Sequence, residues 1–553
     1  MCRRPGGEDQ NTTPDTINME AFDYIVVGGG AAGCVVASRL SEDPAATVLL
    51  LEEGPHDRSI FIRAPGGFFK THGTARTFSY LGEPEPACAN RQYPFLQGRV
   101  LGGGSSINGM VYIRGQRQDY DDWRDAGCAG WGYEDVLPYF RKAESNSRYS
   151  KPYHGTEGPL KISDGDHRHE LSGAFIRAAQ EAGHLDGRRI HFNSDFNGDV
   201  QEGVGYYQTF SHRGERISSA TAYLKEAGKR ANLSIRTDSM VTGITIDSHR
   251  ATGVVVRAGR THIKIEARRE VVLCAGAFMS PKILMLSGIG PAEHLRDRGI
   301  DVKRDLPGVG ENYRDHVISP VDAVLADPIS FMGQDRGWNA LRNGAQWLMF
   351  RTGVLASTVV ESGGFLDVDG DGRPEINLNA LAVSSAGWGD PLPRDEHFFS
   401  LAPLLLTCHS KGTVRLRDRD AASPPRVLGN FLADDRDMKL QIAGVRLARR
   451  ILAAPSLARY LRREDKPGAE VGDDDRAIEA YIRAKSSTGL HAAGTCAMGA
   501  GPDAVVDLRL RVRGIHNLRV ADASVMPAVV RGNTAAPTIM IAERAADFIR
   551  QDH

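Results

Sequence analysis

The chain has 553 residues and a formal net charge of -1 at pH 7. This length exceeds what one hydrophobic core supports and predicts two or more domains, and the near-neutral charge gives no electrostatic basis for binding nucleic acid or an anionic membrane. No apolar run approaches the roughly 18 residues of a membrane span, so the composition is that of a soluble globular protein.

The N-terminus and the cysteines indicate the compartment. Residues 1–20 lack the hydrophobic core of a signal peptide and are predicted to form a disordered tail. The seven cysteines are scattered without C-x-x-C spacing, which favours reduced thiols over a disulfide framework. We therefore expect a cytoplasmic protein.

Residues 23–54 have the pattern of a nucleotide-binding βαβ unit, in which two short apolar strands flank a glycine turn and a helix over 31–40. The turn has G-x-G-x-x-G spacing, which lets the backbone and the helix N-terminus approach a pyrophosphate. An acid at the end of the second strand, Glu52, is placed to hold a ribose that carries no phosphate. The unit alone does not separate NAD from FAD. Its candidate ligands are Gly28, Gly30, Ala31, Ala32, Gly33, Glu52 and Glu53.

After a long irregular region over 55–97, a dense glycine cluster follows in residues 98–115, GRVLGGGSSINGMVYIRG. A flexible linker would not carry this many apolar residues between its glycines, so we predict backbone pressed against a flat ligand. The candidate contacts are Arg99, Val100, Gly102, Gly103, Ser105, Asn108, Gly109, Met110 and Val111.

Residues 276–290, GAFMSPKILMLSGIG, follow an apolar strand over 271–273 and predict a helix begun by a proline and ended by a glycine. The helix N-terminus is again expected to point at the cofactor, with Ala275 and Gly276 at the strand exit. Val241, at the start of a predicted strand over 241–246, is a further candidate.

Two stretches near the C-terminus carry polar groups that folding alone does not explain. His491 lies in TGLHAAGTCAMG among small residues, although a lone histidine is more often structural than catalytic. Asn533 precedes a helix, where its alternative role is capping or turn formation. The residues around a strand end and this helix start complete the candidate set, as Asp522, Ala523, Thr534 and Ala535.

Residues 317–484 mix strands and helices with few glycine clusters and are the candidate substrate domain. Within them, DVDGDG at 367–372 is similar to the start of a calcium loop, but Leu378 stands where the twelfth-position acid is required. We expect a hairpin turn there and no metal.

Taken together, four motifs resemble those of the glucose-methanol-choline (GMC) oxidoreductases, which are FAD-dependent alcohol oxidases and dehydrogenases. They are the βαβ unit with Glu52, the glycine cluster at 98–115, the segment 276–290, and the pair HAAGTCAMG and GNTAAPTIMIAER. The resemblance runs from about residue 21 to the C-terminus. It implies an α/β fold, α+β overall, with a Rossmann-like FAD-binding domain from 21–160, 203–316 and 485–553. A second, substrate domain built on an antiparallel sheet would comprise 161–202 and 317–484.

The resemblance also implies an activity, the oxidation of an alcohol to an aldehyde, with a primary alcohol expected. His491 would take the alcohol proton near flavin N5, and Asn533 would hold the substrate oxygen. The electron acceptor would be oxygen or another molecule, and the oligomeric state stays open. Gln97 stands where some members attach FAD to a histidine, so we expect noncovalent FAD.

Several alternatives remain at this point. One is a lyase of the same family that keeps FAD only structurally, and another is a light-driven decarboxylase, to which Cys408 invites comparison. A noncatalytic FAD-binding scaffold and an NAD-only dehydrogenase are the others. Choline would require an acidic or aromatic cage for its ammonium group, and Glu361 is a candidate acid.

Overall fold

The structure, a computed structural model, describes residues 20–259, 261–385 and 395–553. Apart from residue 20, the predicted disordered tail lies outside the described residues. Among the helices that the structure describes, none has the length and apolar character needed to cross a membrane.

The first sheet has seven strands and confirms the nucleotide-binding βαβ unit. Strands Ala21–Val27 and Val48–Leu51 pair in parallel on either side of the helix Ala31–Leu40. Their residues from position 24 onward are nearly all buried, because a parallel sheet is covered on both faces. The sheet order is Leu233–Arg236, Val48–Leu51, Ala21–Val27, Thr261–Leu273, Arg250–Ala258 and Met240–Asp247, with Leu518–Val520 also paired to Thr261–Leu273.

The second sheet has eight strands, and its neighbouring strands pair in antiparallel fashion, as the resemblance implied for the substrate domain. Its order is Leu461–Lys466, Val321–Leu325, Phe398–Leu405, Ile376–Leu381, Ser362–Leu366 and Gly203–Tyr206, with Val317–Ile318 and Ser487–Thr488 at one edge. Two of these strands, Gly203–Tyr206 and Ser487–Thr488, fall on the FAD-domain side of the boundaries expected from the sequence. We propose that the boundaries lie after residues 206 and 488.

Helices cover both sheets. Their bounds are Ala31–Leu40, Ile60–Arg63, Arg117–Asp125, Tyr133–Ala143, Glu170–Ala182, Lys225–Ala227, Gly276–Leu286, Ala292–Asp297, Gly337–Phe350, Asp435–Leu452, Pro455–Ala458, Asp475–Lys485 and Ala535–Asp552. The remaining strands form small ribbons: Thr77–Glu85 with Arg91–Gly98, Glu144–Asn146 with Leu160–Asp164 and Gln208–Thr209, Ser211–His212 with Glu215–Arg216, Ile289–Gly290 with Arg304–Asp305, and Thr413–Arg415 with Arg426–Leu428.

Two local predictions are wrong. The region over 55–97 is not irregular, since it contains the hairpin of Thr77–Glu85 and Arg91–Gly98. Its prolines are tolerated because a two-stranded ribbon leaves each strand one free edge. The helix Gly276–Leu286 also begins before its proline, and Pro281 lies inside it. The Ala277 carbonyl, which loses its helical donor to the proline ring, accepts instead from Thr495 Oγ1 at 2.5 Å.

Candidate active site

A cavity of about 1500 Å³ lies where the two sheets meet. Val27, Leu51 and Cys274 bound it at the carboxyl ends of three parallel strands, and Ala402 and Leu404 bound it on the antiparallel sheet. The carboxyl ends of parallel strands are where nucleotide cofactors bind in open α/β sheets. The cavity therefore connects the carboxyl end of the parallel sheet to the antiparallel sheet.

The glycine turn at one end of the cavity fits an anionic cofactor. Gly30 is the N-cap of the helix Ala31–Leu40, and no side chain caps this helix terminus. A Cβ added to Gly30 would have no neighbour nearer than 3.8 Å, so the turn borders open space. The free N-H groups and the positive end of the helix dipole favour a pyrophosphate, which the FAD molecule carries.

Two more helix N-termini line the same cavity. The helices Gly276–Leu286 and Ala535–Asp552 have Ala275 and Thr534 as N-caps, and neither N-cap side chain makes a capping bond. At the first of these termini the Gly276 N-H donates to Asp522 Oδ2 at 2.9 Å and the Ala275 N-H donates to Ser280 Oγ at 3.1 Å. Gly276 has a φ of 84° and nothing within 4 Å of its would-be Cβ, so this strand exit requires glycine and leaves room beside it. The positive ends of these helix dipoles along one cavity suit an extended, anionic dinucleotide.

Glu52 is bound to the backbone of its own turn. Its Oε2 accepts from the Gly29 N-H at 2.8 Å, and its Oε1 accepts from the Gly54 N-H at 2.8 Å. Burial raises the pKa of this carboxyl to about 7. Glu52 thus shapes the glycine turn directly, and its contact with a ribose stays a prediction.

Most of the predicted cofactor residues line the cavity. They are Gly28, Gly30, Ala31, Ala32, Glu52, Glu53, Gly103, Ser105, Asn108, Gly109, Met110, Val111, Val241, Ala275, Gly276, Asp522, Asn533, Thr534 and Ala535. The predicted residues outside its lining are Gly33, Arg99, Val100, Gly102 and Ala523.

The residues outside the lining support those inside it. A Cβ at Gly33 would lie 1.9 Å from the Gly28 carbonyl oxygen, so this glycine lets the helix pack on the strand. The Gly102 N-H donates to the Gly29 carbonyl at 2.7 Å, and Arg99 Nε lies 3.1 Å from Glu53 Oε1. Val100 is buried in a small apolar cluster. These residues hold the two glycine segments together.

His491 and Asn533 meet in the cavity wall although 42 positions separate them in sequence. The Nδ2 of Asn533 donates to Nε2 of His491 at 3.0 Å. On the other side of the ring, Nδ1 of His491 lies 2.9 Å from Nδ1 of His316. Because Nε2 accepts, Nδ1 of His491 carries the ring proton and donates it to His316. The lone pair on Nε2 therefore faces Asn533.

Both imidazoles are held neutral. Burial lowers the pKa of His491 to about 4. Burial, and then the neighbouring His491, lower the pKa of His316 well below its ordinary value. A neutral imidazole with its lone pair on Nε2 can accept a proton from a hydroxyl group in the cavity.

A buried carboxylate fixes the loop that carries His491. Asp315 Oδ1 accepts from the His491 backbone N-H at 2.7 Å, while Oδ2 accepts from Tyr313 at 3.1 Å and from the Thr488 hydroxyl. Burial raises the pKa of Asp315 to about 6. Asp315 thereby ties the histidine loop to the segment that supplies His316.

The wall of the cavity on the substrate-sheet side is mixed. Its aliphatic lining includes Ile318, Met332, Val359, Val360, Leu381, Leu404 and Leu490, and its polar lining includes Asn379, His397, Ser400, Lys466 and Ser487. Apolar walls with a few polar groups are typical of small-molecule sites. Among the polar lining residues, His491 and Asn533 are the pair whose side chains hydrogen-bond to each other at 3.0 Å.

Glu361 is not available as a cage for an ammonium group. Its Oε1 accepts from Ser357 Oγ at 2.5 Å and lies 2.6 Å from His167 Nδ1. Its Oε2 accepts from the His169 N-H at 2.6 Å and from Ser172 Oγ at 3.1 Å. Both oxygens are engaged, and Glu361 is outside the cavity lining.

Cys408 is also outside the cavity lining. Its buried thiol donates to the Asp315 carbonyl at 2.9 Å, and burial raises its pKa well above the ordinary value. This geometry gives no support to the decarboxylase alternative.

The hairpin predicted for 367–372 is confirmed, because Ser362–Leu366 and Ile376–Leu381 pair in antiparallel fashion on either side of it. Carboxylate oxygens of Asp367, Asp369, Asp371 and Glu375 lie within 4.8 Å of one another at this turn. Counting Asp367 as the first position of a calcium loop, the fourth acid of this group is Glu375 at the ninth position, whereas the twelfth position is Leu378.

Sequence reasoning missed His316 and the aliphatic wall. His316 closes the polar run 312–316, and the polar character of that run was the available signal. The apolar wall comes from separate strands and loops that no local pattern brings together. Gln97, Gly104, Ser239, Met279 and Thr538 are further lining residues outside the predicted set.

Comparison with known proteins identifies relatives over nearly the whole chain. A family model described as GMC oxidoreductase matches residues 22–318, and a second model of that description matches residues 408–542. The chain is 39% identical over 545 residues to "Alcohol dehydrogenase [acceptor]" of Pseudomonas putida, covering 96% of this chain and 95% of that protein. It is 40% identical over 538 residues to "Oxygen-dependent choline dehydrogenase" of Pseudomonas syringae pv. tomato, covering 96% and 93%.

A solved structure agrees with these relatives. The crystal structure of pyridoxine 4-oxidase from Mesorbium loti superimposes with a TM-score of 0.86 at 29% identity, covering 96% of this chain and 100% of that one. The correspondence extends over both sheets, because it covers nearly the full length of each protein.

Proposed function

Because this chain belongs to the GMC oxidoreductase family and oxidises alcohols with FAD, we propose that His491 takes the hydroxyl proton of an uncharged, apolar primary alcohol. The product is the corresponding aldehyde.

The state of His491 supports its role as the base. Its pKa of about 4 leaves the imidazole unprotonated at neutral pH, and the contact with His316 directs the lone pair to Nε2. A general base must carry a free lone pair within hydrogen-bond reach of the proton it removes. Nε2 meets this requirement once an entering hydroxyl displaces the Asn533 amide from it.

Asn533 would hold the oxygen atom of the same alcohol. Nδ2 of Asn533 lies 3.0 Å from Nε2 of His491, so a hydroxyl placed between them would replace their hydrogen bond with two new ones. The hydroxyl would donate to His491 and accept from Asn533. The amide stabilises the oxygen as it gains negative charge and does not compete for the proton.

The cofactor is held by the glycine turns and helix N-termini that line the cavity, and bound FAD supplies the hydride acceptor. Gly30 and Gly276 leave room for it, and Gly103 lets its own loop pack against the Gly30 backbone.

The observation that carries the substrate proposal is the engagement of Glu361. Both of its oxygens are satisfied by neighbouring groups, and it does not line the cavity. A quaternary ammonium group needs a carboxylate or an aromatic cage to replace its hydration. Aromatic rings, among them Phe68, Phe95 and Phe331, also line the cavity. We propose that aliphatic side chains such as Leu490, and not these rings, contact the carbon next to the hydroxyl, which favours an uncharged carbon chain or ring.

The test compares choline with its uncharged isostere, in which a carbon atom replaces the nitrogen. Flavin reduction would be followed by stopped-flow absorbance without oxygen, and turnover would then be measured with and without oxygen. We expect the ratio of the limiting flavin-reduction rate to the dissociation constant of the alcohol to be higher for the isostere than for choline. A higher ratio for choline would contradict the uncharged substrate, and flavin that stays oxidised with every alcohol tried would contradict alcohol oxidation itself.

We further propose that the protein is cytoplasmic and that oxygen or another acceptor reoxidises the flavin. The six cysteines that the structure describes are buried with free thiols, which agrees with a reducing compartment. Comparison of turnover under air and with an artificial acceptor distinguishes the two kinds of acceptor.

A further inference from the structure

The helix Gly337–Phe350 turns its apolar face toward solvent. Trp338 is 77% exposed, Leu341 67%, Leu348 55%, Met349 67% and Phe350 65%. In a surface helix of a globular protein the apolar stripe normally faces the core. Here residues 338, 341, 345, 348 and 349 form a stripe at helical spacing on the outer side, and the arrangement is reversed.

The inner side of the helix is firmly attached to the protein. Trp347 is buried, and its Nε1 donates to the Gly214 carbonyl at 2.7 Å. Asn343 is also buried and donates to the Gln334 carbonyl at 3.0 Å. The outward apolar face is therefore a fixed feature of the surface and not the result of a loosely attached helix.

Neighbouring segments extend this apolar surface. Ile60 is 46% exposed, Phe61 48% and Phe69 40%. Arg63, at the end of the helix Ile60–Arg63, and Arg351, after the helix Gly337–Phe350, both pair with Glu215. The shared partner brings the two helices together. We call the set of exposed apolar side chains the mouth patch: Ile60, Phe61, Phe69, Trp338, Leu341, Leu348, Met349 and Phe350.

The mouth patch borders the entrance of the cavity. Phe69 and Lys70 line the cavity, and so do residues 333–336, which lead directly into the helix Gly337–Phe350. An exposed apolar patch of this kind marks an interaction surface, and its position here means that whatever covers it also faces the cavity mouth.

The charges around the mouth patch are positive. Residues 336–351 contain three arginines and no acid. Arg342 lies on the exposed stripe, and no ion pair to it is found among the described residues. The nearby acids are already matched, Asp335 by Lys70 and Arg336, and Glu215 by Arg63 and Arg351.

This combination favours a lipid surface over a second copy of the chain. Apolar and tryptophan side chains with arginines between them are typical of helices that lie in an anionic bilayer surface. A two-fold contact between copies would bring each Arg342 toward a like-charged, mainly apolar face without an acid to pair with. The net charge of the whole chain does not disclose this local surface.

We propose that the mouth patch docks the protein on the surface of an anionic lipid bilayer, with the cavity mouth turned toward the acyl chains. The helix lies in the plane of the surface, and Arg342 contacts lipid phosphates. Molecules dissolved in the bilayer then reach the cavity without crossing water.

The test is flotation of the FAD-loaded protein with vesicles of phosphatidylcholine alone and of equal parts phosphatidylcholine and phosphatidylglycerol. We expect binding to the anionic vesicles, weakened by high ionic strength. The double variant Leu341→Gln with Met349→Gln should lower the partition coefficient by about tenfold or more, because each buried apolar side chain contributes to binding. Arg342→Glu should lower it by about fivefold or more on anionic vesicles, and much less on neutral ones.

The matched control is the double variant Val200→Gln with Ile263→Gln, which alters two exposed apolar residues outside the mouth patch and should bind like the wild type. Retained flavin and turnover of a water-soluble alcohol show that each variant is folded. Vesicle binding that is absent, or equal in the two double variants, would overturn the proposal. So would light scattering that shows a dimer dissociated by the mouth-patch variant, since the partner would then be a second copy. None of these readouts depends on which alcohol is oxidised.

Discussion

Nδ1 of His316 lies 2.9 Å from Nδ1 of His491, and this contact selects the tautomer of the proposed base. His316 lies on the segment that enters the substrate sheet, whereas His491 follows the short edge strand Ser487–Thr488. Those two strands pair directly, Val317 with Thr488. The sheet pairing therefore sets the relative position of the two imidazoles.

Replacing His316 should impair proton removal without preventing cofactor binding. His316→Leu removes the acceptor for the His491 ring proton, and we expect the rate of flavin reduction to fall by about ten- to a hundredfold, as for loss of one buried hydrogen bond. His316→Asn restores an acceptor oxygen near the position of Nδ1 and should recover part of the rate. Equal rates in the two variants would show that the contact does not matter for the base.

Asn533→Asp should make flavin reduction pH-dependent. In the wild type the His491 pKa of about 4 keeps the base neutral, so the reduction rate is expected to be flat through neutrality. An adjacent carboxylate stabilises the imidazolium and raises this pKa, so the rate should decrease as the pH falls through the raised value. Asn533→Ala, which adds no charge, should give a flat profile about a hundredfold lower. A flat profile for the aspartate variant would contradict the contact between the two side chains.

The glycines of the nucleotide turn should divide into two kinds. Gly30→Val places its side chain toward open space in the cavity and should yield a folded protein with little or no bound FAD. Gly33→Ala puts a Cβ 1.9 Å from the Gly28 carbonyl oxygen and should instead lower the melting temperature and the soluble yield. Circular dichroism and the flavin absorbance of the purified proteins separate these outcomes. Full FAD occupancy in a folded Gly30→Val protein would show that the turn does not hold the phosphates.

FAD is expected to leave the protein intact when the chain is denatured. Gln97 lines the cavity and has no nucleophilic atom for attachment to a flavin. After acid precipitation, the yellow colour should remain in the supernatant. Flavin that sediments with the precipitate would mean that another residue forms a covalent bond.

The nucleotide-binding half was predictable because its signals are local. The turn at Gly28, its flanking strands and the helix Ala31–Leu40 lie in one short stretch, and the parallel pairing of the strands follows from that pattern. The pairing of His491 with Asn533 could be expected only from a family resemblance, since no local rule joins residues so far apart. The distance of 3.0 Å between their side chains is a product of the tertiary fold.

What the sequence did not disclose depends on long-range packing. Glu361 was a candidate for a substrate ammonium group because its type suited the chemistry, but four neighbouring groups occupy its oxygens. The outward face of the helix Gly337–Phe350 has the same periodicity as an inward face would have. Periodicity identifies an apolar stripe and does not reveal what covers it.

The central claim is that Nε2 of His491 removes the hydroxyl proton, and anaerobic flavin reduction in His491→Ala tests it most directly. His409→Ala is the control, because His409 does not line the cavity. With FAD content confirmed by absorbance, the account predicts reduction about 100- to 10,000-fold slower in His491→Ala and unchanged in the control. Reduction of His491→Ala at nearly the wild-type rate would contradict the claim.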